Sequence, residues 1–221
     1  IDRFTVEHLP PPEHLPTLIF TRPELRYPAR LNCVAELLDR AVAEGDGDRI
    51  AILAPSLKWT YAELRQKANC VAQLLTEDLG VVAGNRVLLR ATNTPMLTAC
   101  WLGVVKAGAI AVGTMPLLRA HELSVIIEKA EVTLALCDEK LGEEMAAAQG
   151  LSPRLLDIIH FGGVGGLQEG MALKSGHFEA VDCAAEDICF FAFTSGTTGG
   201  PKGVMHGHRD VLAACDCFPP A

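Results

Sequence analysis

The sequence of 221 residues is long enough to bury a sizeable core, as one large domain or two small ones. Hydrophobic residues make up 49% of it and aromatic residues 5%, a balance that is ordinary for an α/β protein rich in alanine, valine and leucine. The formal net charge of −8 argues against a general nucleic-acid-binding surface. No secretory signal is visible, and Lys106 and several glycines divide the longest apolar stretch, so we expect a cytoplasmic protein without a membrane span.

The first third of the chain predicts an arm followed by the start of a folded domain. Prolines recur between Leu9 and Tyr27, which indicates an extended proline-rich arm over residues 1–28 and a folded domain over residues 29–221. Asn32 is a good cap for a helix that runs to about Glu44. Residues 50–53 then predict a short buried strand.

The middle of the chain alternates helices with strands. Thr60 and Glu63 match a T-x-x-E capping box, which predicts a helix that ends near Gly80. Thr94 and the proline after it predict another helix start, with that helix reaching Lys106. Strands are predicted at residues 86–91, 109–112, 132–136 and 155–159, with further helices at 122–130 and 139–149. Alternation at this spacing predicts an α/β fold with a mostly parallel sheet flanked by helices.

The last part of the chain predicts a strand that leads into a glycine-rich loop. Residues 162–176 are expected to form a flexible surface connection, because glycines cluster at their start. A strand at 187–193, a short returning strand at 204–206 and the start of a helix at 209–216 follow. Between the two strands lies the run from Phe193 to Gly203, which combines glycines, hydroxyl side chains and a lysine.

That run has the chemistry of a site for a polyphosphate. Glycines let several backbone N–H groups approach an anion, the hydroxyls add short donors, and Lys202 adds a point charge. A Walker A loop does not fit, because Pro201 precedes the lysine and Gly203 stands where the magnesium-binding hydroxyl belongs. A polar hairpin loop without a ligand is the plain alternative, but it explains poorly why Lys202 lies between those two residues.

The cysteines do not predict a disulfide framework or a strong metal site. Four of them lie among apolar residues of predicted helices and strands, as buried free thiols do: Cys33, Cys70, Cys100 and Cys137. A zinc site from His206, His208, Cys215 and Cys217 matches no strong template, so we read the last two as helix residues and predict no metal ligand. His208 receives no catalytic role, because a capping or packing histidine explains it at least as well.

Three segments in order resemble the adenylate-forming superfamily of acyl-CoA and aryl-CoA synthetases, luciferases and the adenylation domains of peptide synthetases. Residues 194–203 resemble its phosphate-loop signature, residues 59–64 its "T-Y-x-E-L" segment, and residues 106–112 its "K-A-G-x-x-x-V" segment. Gly200 departs from the lysine or arginine that many members carry at that position. The fold that the resemblance implies is a partial N-terminal domain of an adenylate-forming enzyme.

The resemblance implies an ATP-dependent acid–CoA ligase that works in two half-reactions. A small carboxylate would attack Mg²⁺-ATP to give an acyl-adenylate and pyrophosphate, and coenzyme A would then displace AMP. The residues that would bind the β- and γ-phosphates are Thr194, Ser195, Gly196, Thr197, Thr198, Gly199 and Lys202. We assign no catalytic residue within this chain.

Family features that follow the phosphate loop have no counterpart in the sequence. These are the tyrosine–glycine–threonine–glutamate segment, the ribose-binding aspartate, and the C-terminal domain with its catalytic lysine. Both ends look cut, so we expect an N-terminal portion that needs the missing C-terminal part of the same enzyme and is inactive alone. The alternative is a naturally short protein that binds nucleotide or pairs with a separate subunit.

The substrate prediction rests on likeness to one branch of the family. Residues 8–12, 23–28, 31–33, 99–102 and 206–210 resemble the benzoate and 2-aminobenzoate–CoA ligases. An aryl acid is therefore the expected substrate, and a fatty or other acyl acid is the alternative.

Overall fold

A six-stranded sheet with helices on both faces forms the centre of the protein. The computed structural model describes residues 1–15, 17, 21–194 and 201–218. In the order of the sheet its strands are β6 (Asp157–Phe161), β5 (Leu134–Asp138), β3 (Arg86–Arg90), β4 (Ile110–Thr114), β7 (Ile188–Thr194) and β8 (Lys202–Gly207). The first five strands are parallel, and β8 is antiparallel to β7, which confirms the predicted α/β architecture.

The helices connect these strands or cover them. They are α1 (Phe4–Glu7), α2 (Arg40–Ala43), α3 (Tyr61–Gln73), α4 (Pro95–Lys106), α5 (Ala120–Ala130), α6 (Gly142–Leu151), α7 (Leu167–Ala172) and α8 (His208–Asp216). Wider π-helical turns at Ala35–Asp39 and Leu74–Asp78 precede α2 and extend α3. In the described part of the chain, no helix reaches the length and apolarity that crossing a bilayer needs.

Local sequence explains where the main helices begin. Thr60 Oγ1 accepts the backbone N–H of Glu63 at 3.2 Å, and the Glu63 carboxylate accepts the N–H of Thr60 at 2.8 Å. The predicted capping box is therefore present. Thr94 caps α4 in the same way, because its hydroxyl accepts the N–H of Leu97 at 3.2 Å. Each cap satisfies backbone donors that the first turn of a helix leaves without partners.

Alternate residues of the strands build two separate cores. Leu89 faces α3 and α4, whereas its neighbour Leu88 faces α5 and α6. The same alternation puts Leu136 on the first face and Ala135 on the second. Parallel strands covered on both faces contain continuous apolar runs, as residues 87–89 of β3 and 134–137 of β5 do.

Lys106 of the "K-A-G" segment has a structural position in this fold. Its side chain is 1% exposed, and its ammonium donates to Asp39 Oδ1 at 2.6 Å and to Asn69 Oδ1 at 2.5 Å. Burial lowers the pKa of Lys106, while the Asp39 carboxylate opposes that effect. The lysine thereby joins the end of α4 to α3 and to the turn before α2.

Two predictions about local structure are only partly right. Residues 50–53 form part of β1 (Ile50–Ala54), but this strand pairs with β2 (Leu57–Thr60) in a separate two-stranded ribbon, and Leu53 is 73% exposed. Residues 162–176 are not simply a flexible connection, because they contain α7, which buries Leu167 and Met171 against the first core. Leu167 and Met171 have the spacing of one helix face, and their burial stabilises α7 although glycines precede it.

The N-terminal segment is docked on the sheet as far as residue 8. Asp2 forms an ion pair with Arg86, whose guanidinium lies 4.5 Å from the centre of the Phe4 ring. Phe4 also packs against the second core. Beyond it, the described residues of the proline-rich stretch form only short turns at Pro12–His14 and Pro23–Leu25.

Candidate functional site

The carboxyl edge of the sheet contains a point where consecutive crossovers diverge. From β3 the chain enters α4 on one face, and from β4 it enters α5 on the other. Because β3 and β4 are neighbours, this divergence leaves a crevice beyond their carboxyl ends. Open α/β sheets bind their ligands in such crevices.

A cavity of about 320 Å³ lies at this edge, between α5 and the end of β7. Its lining includes Gly113 and Thr114 at the end of β4 and Phe193 and Thr194 at the end of β7. Four residues of α5 also line it: His121, Glu122, Val125 and Ile126. Gly113 and Thr114 also line a second cavity of about 370 Å³ on the other face, next to Trp101 and Phe190. The two cavities therefore share lining residues at the end of β4.

Thr194 and Pro201 of the predicted phosphate loop line the first cavity. Thr194 ends β7 and Lys202 begins β8, and the two residues pair directly in the antiparallel register. The Thr194 hydroxyl donates to the Lys202 carbonyl at 3.5 Å, and both residues are exposed. The loop therefore leaves and re-enters the sheet at adjacent points.

The remaining predicted phosphate-binding residues lie outside the described residues. These are Ser195, Gly196, Thr197, Thr198 and Gly199. Of the predicted set, the structure places Thr194 and Lys202 together. It also shows a contact that the sequence did not indicate: Lys129 of α5 donates to the Pro201 carbonyl at 2.8 Å, which holds the end of the loop against α5.

Arg90 at the end of β3 is a positioning residue that the sequence analysis missed. Its guanidinium donates to the carbonyls of Met115, Pro116 and Leu118 at 3.2, 3.2 and 2.8 Å. Burial lowers the pKa of Arg90. The contacts fix the segment between β4 and α5, part of which lines the cavity. The available signal was a charged residue that closes a strand of buried residues.

His208 lies away from this cavity, in the first core. The ring is 2% exposed, and its Nδ1 atom accepts the backbone N–H of Cys33 at 3.2 Å. This placement agrees with a packing histidine. Cys215 lies in α8 and Cys217 directly follows it, and both are exposed.

Comparisons with known proteins agree on one family. The AMP-binding enzyme family matches residues 38–219. A benzoate–CoA ligase of Thauera aromatica is 27% identical over 200 residues, which is 90% of this chain and 38% of that protein. The long-chain-fatty-acid–CoA ligase FadD13 of Mycobacterium tuberculosis is 31% identical over 170 residues, 76% of this chain and 34% of that protein.

A solved structure extends the likeness to three dimensions. The crystal structure of the anthranilate CoA ligase AuaEII in complex with anthranoyl-AMP superposes with a TM-score of 0.81 at 28% sequence identity. The match covers 87% of this chain and 36% of that one. The chain thus spans little more than a third of the length of the relatives it matches.

Proposed function

The chain belongs to the AMP-binding enzyme family, and we propose that it is the N-terminal portion of an ATP-dependent acid–CoA ligase. In the first half-reaction the substrate carboxylate attacks the α-phosphorus of ATP, and pyrophosphate leaves. In the second, the thiol of coenzyme A attacks the acyl carbon, and AMP leaves. The observation that carries the proposal is the Thr194–Lys202 pair beside a cavity that Thr194 helps to line, where the crossovers diverge.

The role proposed for the phosphate loop follows from charge. A carboxylate and a polyphosphate repel each other, and negative charge grows on the pyrophosphate as it leaves. Lys202 and the hydroxyl of Thr194 would neutralise and solvate the β- and γ-phosphates, together with the loop residues Ser195, Gly196, Thr197, Thr198 and Gly199. Donors fixed before the reaction need no reorganisation during it, so they stabilise the transition state most.

Magnesium would reach this site with the nucleotide. Glu122 is the only carboxylate among the described residues that line the cavity, and it already accepts the backbone N–H of Arg119 at 2.9 Å. The described residues therefore do not fit a Mg²⁺ site made by the protein alone. Mg²⁺ in nucleotide sites is held largely by phosphates and water, so its ligands would be those of Mg²⁺-ATP.

We further propose an aryl acid of the benzoate type as the substrate. Support comes from the sequence likeness to the benzoate–CoA ligase and from the structural likeness to the anthranilate CoA ligase. The similar identity to a long-chain-fatty-acid–CoA ligase makes a fatty acid the second candidate.

The test is carboxylate-dependent ATP–pyrophosphate exchange by the full-length protein. Benzoate, 2-aminobenzoate and the hydroxybenzoates are compared with hexadecanoate at equal concentrations. Exchange with the benzoates supports the aryl assignment, and exchange only with hexadecanoate replaces it with the fatty-acid assignment. If none of a broad panel of carboxylates promotes exchange, and ATP does not protect the protein thermally, the ligase proposal itself fails.

A further inference from the structure

Two thiols and an imidazole meet in the first core, away from the phosphate loop. Cys33, Cys189 and His208 each offer one ligand atom, and these atoms lie within 4.8 Å of one another. Their side chains are buried, with exposures of 0%, 1% and 2%. His208 Nδ1 lies 3.3 Å from Cys33 Sγ.

Three distant parts of the chain bring these donors together. Cys33 lies in the turn that leads to α2, and His208 is the first residue of α8. Cys189 lies where the register between β7 and β8 shifts, between Ile188 and Phe190. Such a bulge re-aims a side chain relative to a regular strand. The β7–β8 hairpin thus carries one donor directly and a second where its chain enters α8.

The three buried donors have the chemistry of a zinc site. Thiolate sulfur and imidazole nitrogen are the ligands that zinc prefers in proteins. In the structure the Cys189 thiol donates to the His206 carbonyl at 3.6 Å, and the His208 Nδ1 atom accepts the backbone N–H of Cys33 at 3.2 Å.

We propose that Cys33, Cys189 and His208 bind one thiophilic metal ion, with Zn²⁺ as the expected ion, and that the ion fixes the base of the β7–β8 hairpin. Donor atoms around tetrahedral zinc lie about 3.5 Å apart. Small rotations of the three side chains would bring their donor atoms from the present spacing to that distance. Two thiolates and one imidazole supply three of the four ligands of tetrahedral zinc, and a water molecule would supply the fourth.

At this position the ion would hold separate segments of the chain together. It would link the turn before α2 to both ends of the hairpin whose tip is the predicted phosphate loop. Metal sites of this kind add their binding free energy to folding, because the unfolded chain lacks the assembled ligands. The metal-loaded protein is therefore expected to unfold at a higher temperature than the metal-free protein.

The experiment measures the metal directly. The full-length protein, without a histidine tag, is purified without chelators and its metal content is determined by mass spectrometry. The metal-free protein is then titrated with Co²⁺, whose thiolate charge-transfer and d–d absorption bands report tetrahedral sulfur–nitrogen ligation. We expect about one ion per chain and the release of protons as the thiols ligate.

Variants separate this site from adventitious binding. Cys33→Ser, Cys189→Ser and His208→Gln are each expected to remove the Co²⁺ bands and the Zn²⁺-dependent rise in melting temperature. Cys137→Ser, which changes a buried thiol outside the cluster, and the double variant Cys215→Ser/Cys217→Ser are the controls and keep both signals. Circular dichroism confirms that each variant is folded.

Three outcomes overturn the proposal. One is a metal content that the three ligand variants do not change, and another is loss of the metal in the Cys215/Cys217 double variant. The third is a disulfide between Cys33 and Cys189, detected by peptide mapping of the native protein without reduction. Such a disulfide would mean that the two cysteines form a redox-active pair. If every variant misfolds, the melting temperature of the wild type with Zn²⁺ and with a chelator decides, and equal values contradict the proposal.

Discussion

At the scale of single residues, Lys202 has the most specific predicted role. It is exposed at the start of β8, opposite Thr194, and close to the cavity that Pro201 helps to line. We expect Lys202→Ala in the full-length protein to slow carboxylate-dependent ATP–pyrophosphate exchange about ten- to a thousandfold, the range for losing a preorganised charge or donor. An unchanged exchange rate would remove the lysine from the phosphate site.

Lys58 provides a matched control for that substitution. It is an exposed lysine of β2, in the separate two-stranded ribbon. Lys58→Ala changes the net charge by the same amount and is expected to leave the exchange rate as it is. If both variants lose activity equally, the effect of Lys202→Ala is one of overall charge or stability.

The carboxyl group of Asp2 predicts how the stability of the folded protein depends on pH. Partial burial raises the pKa of its carboxyl group, but hydrogen bonds from the backbone of Phe4 and from Arg86 outweigh burial, so the pKa falls below its ordinary value of 3.8. A lowered pKa means that the ionised carboxylate stabilises the folded state. This contribution is complete above pH 3.8 and disappears as the pH falls through the lower pKa of the folded state.

The corresponding experiment is urea unfolding of the wild type and Asp2→Asn over a range of pH. We expect the substitution to cost about 1–2 kcal/mol at pH 7, because Arg86 loses a charged partner but keeps backbone acceptors. The difference between the two proteins should shrink below pH 3.8. A difference that is constant down to pH 2 would show that the carboxylate charge does not contribute.

At the scale of elements, the α3–α4 contact depends on one glycine. A Cβ atom on Gly103 of α4 would lie 2.5 Å from Val71 Cβ and 2.9 Å from the Ala68 carbonyl of α3. Alanine is the better helix former by about 1 kcal/mol, but the clash opposes that gain. We expect Gly103→Ala to destabilise the fold by about 1–3 kcal/mol, the usual cost of overpacking a core.

Gly150 of α6 is the control for this prediction, because a Cβ atom there meets nothing within 4 Å. Gly150→Ala should leave stability unchanged or raise it by up to about 1 kcal/mol. Thermal and urea unfolding of the two variants measure the difference. Equal effects of both substitutions would contradict the prediction, because they would mean that α3 and α4 move apart without loss of stability.

The elements that the sequence predicted best are those whose signals are local. The capping residues Thr60 and Thr94 and the apolar strand runs act within a few positions, so their pattern was sufficient for the sheet and its main helices. The partners of the buried side chains of Lys106, Arg86 and Arg90 come from distant segments, and single-sequence patterns do not encode such pairings. For the candidate site, the sequence predicted the phosphate loop, whereas the cavity and the Lys129 contact required tertiary structure.

At the scale of the whole molecule, the described residues build one side of a site. None of the described residues that line the first cavity is a lysine or an arginine; Lys129 contacts Pro201 of its lining, and Lys202 follows Pro201 in the chain. A triphosphate and a carboxylate carry more negative charge than these two lysines offset. The relatives that the chain matches are more than twice as long, and their remaining length is available to close such a site.

We therefore expect residues 1–221 expressed alone to form no acyl-adenylate, even with the carboxylate that the full-length protein uses. The reason is that a one-sided site leaves the attacking carboxylate unpositioned and the leaving pyrophosphate solvated by water, so the preorganisation that lowers the barrier is absent. ATP–pyrophosphate exchange is measured at matched concentrations of the two proteins, after circular dichroism has shown that the shorter one is folded. Exchange above the background of a Lys202→Ala version of the same chain would mean that these residues already contain a complete adenylating site.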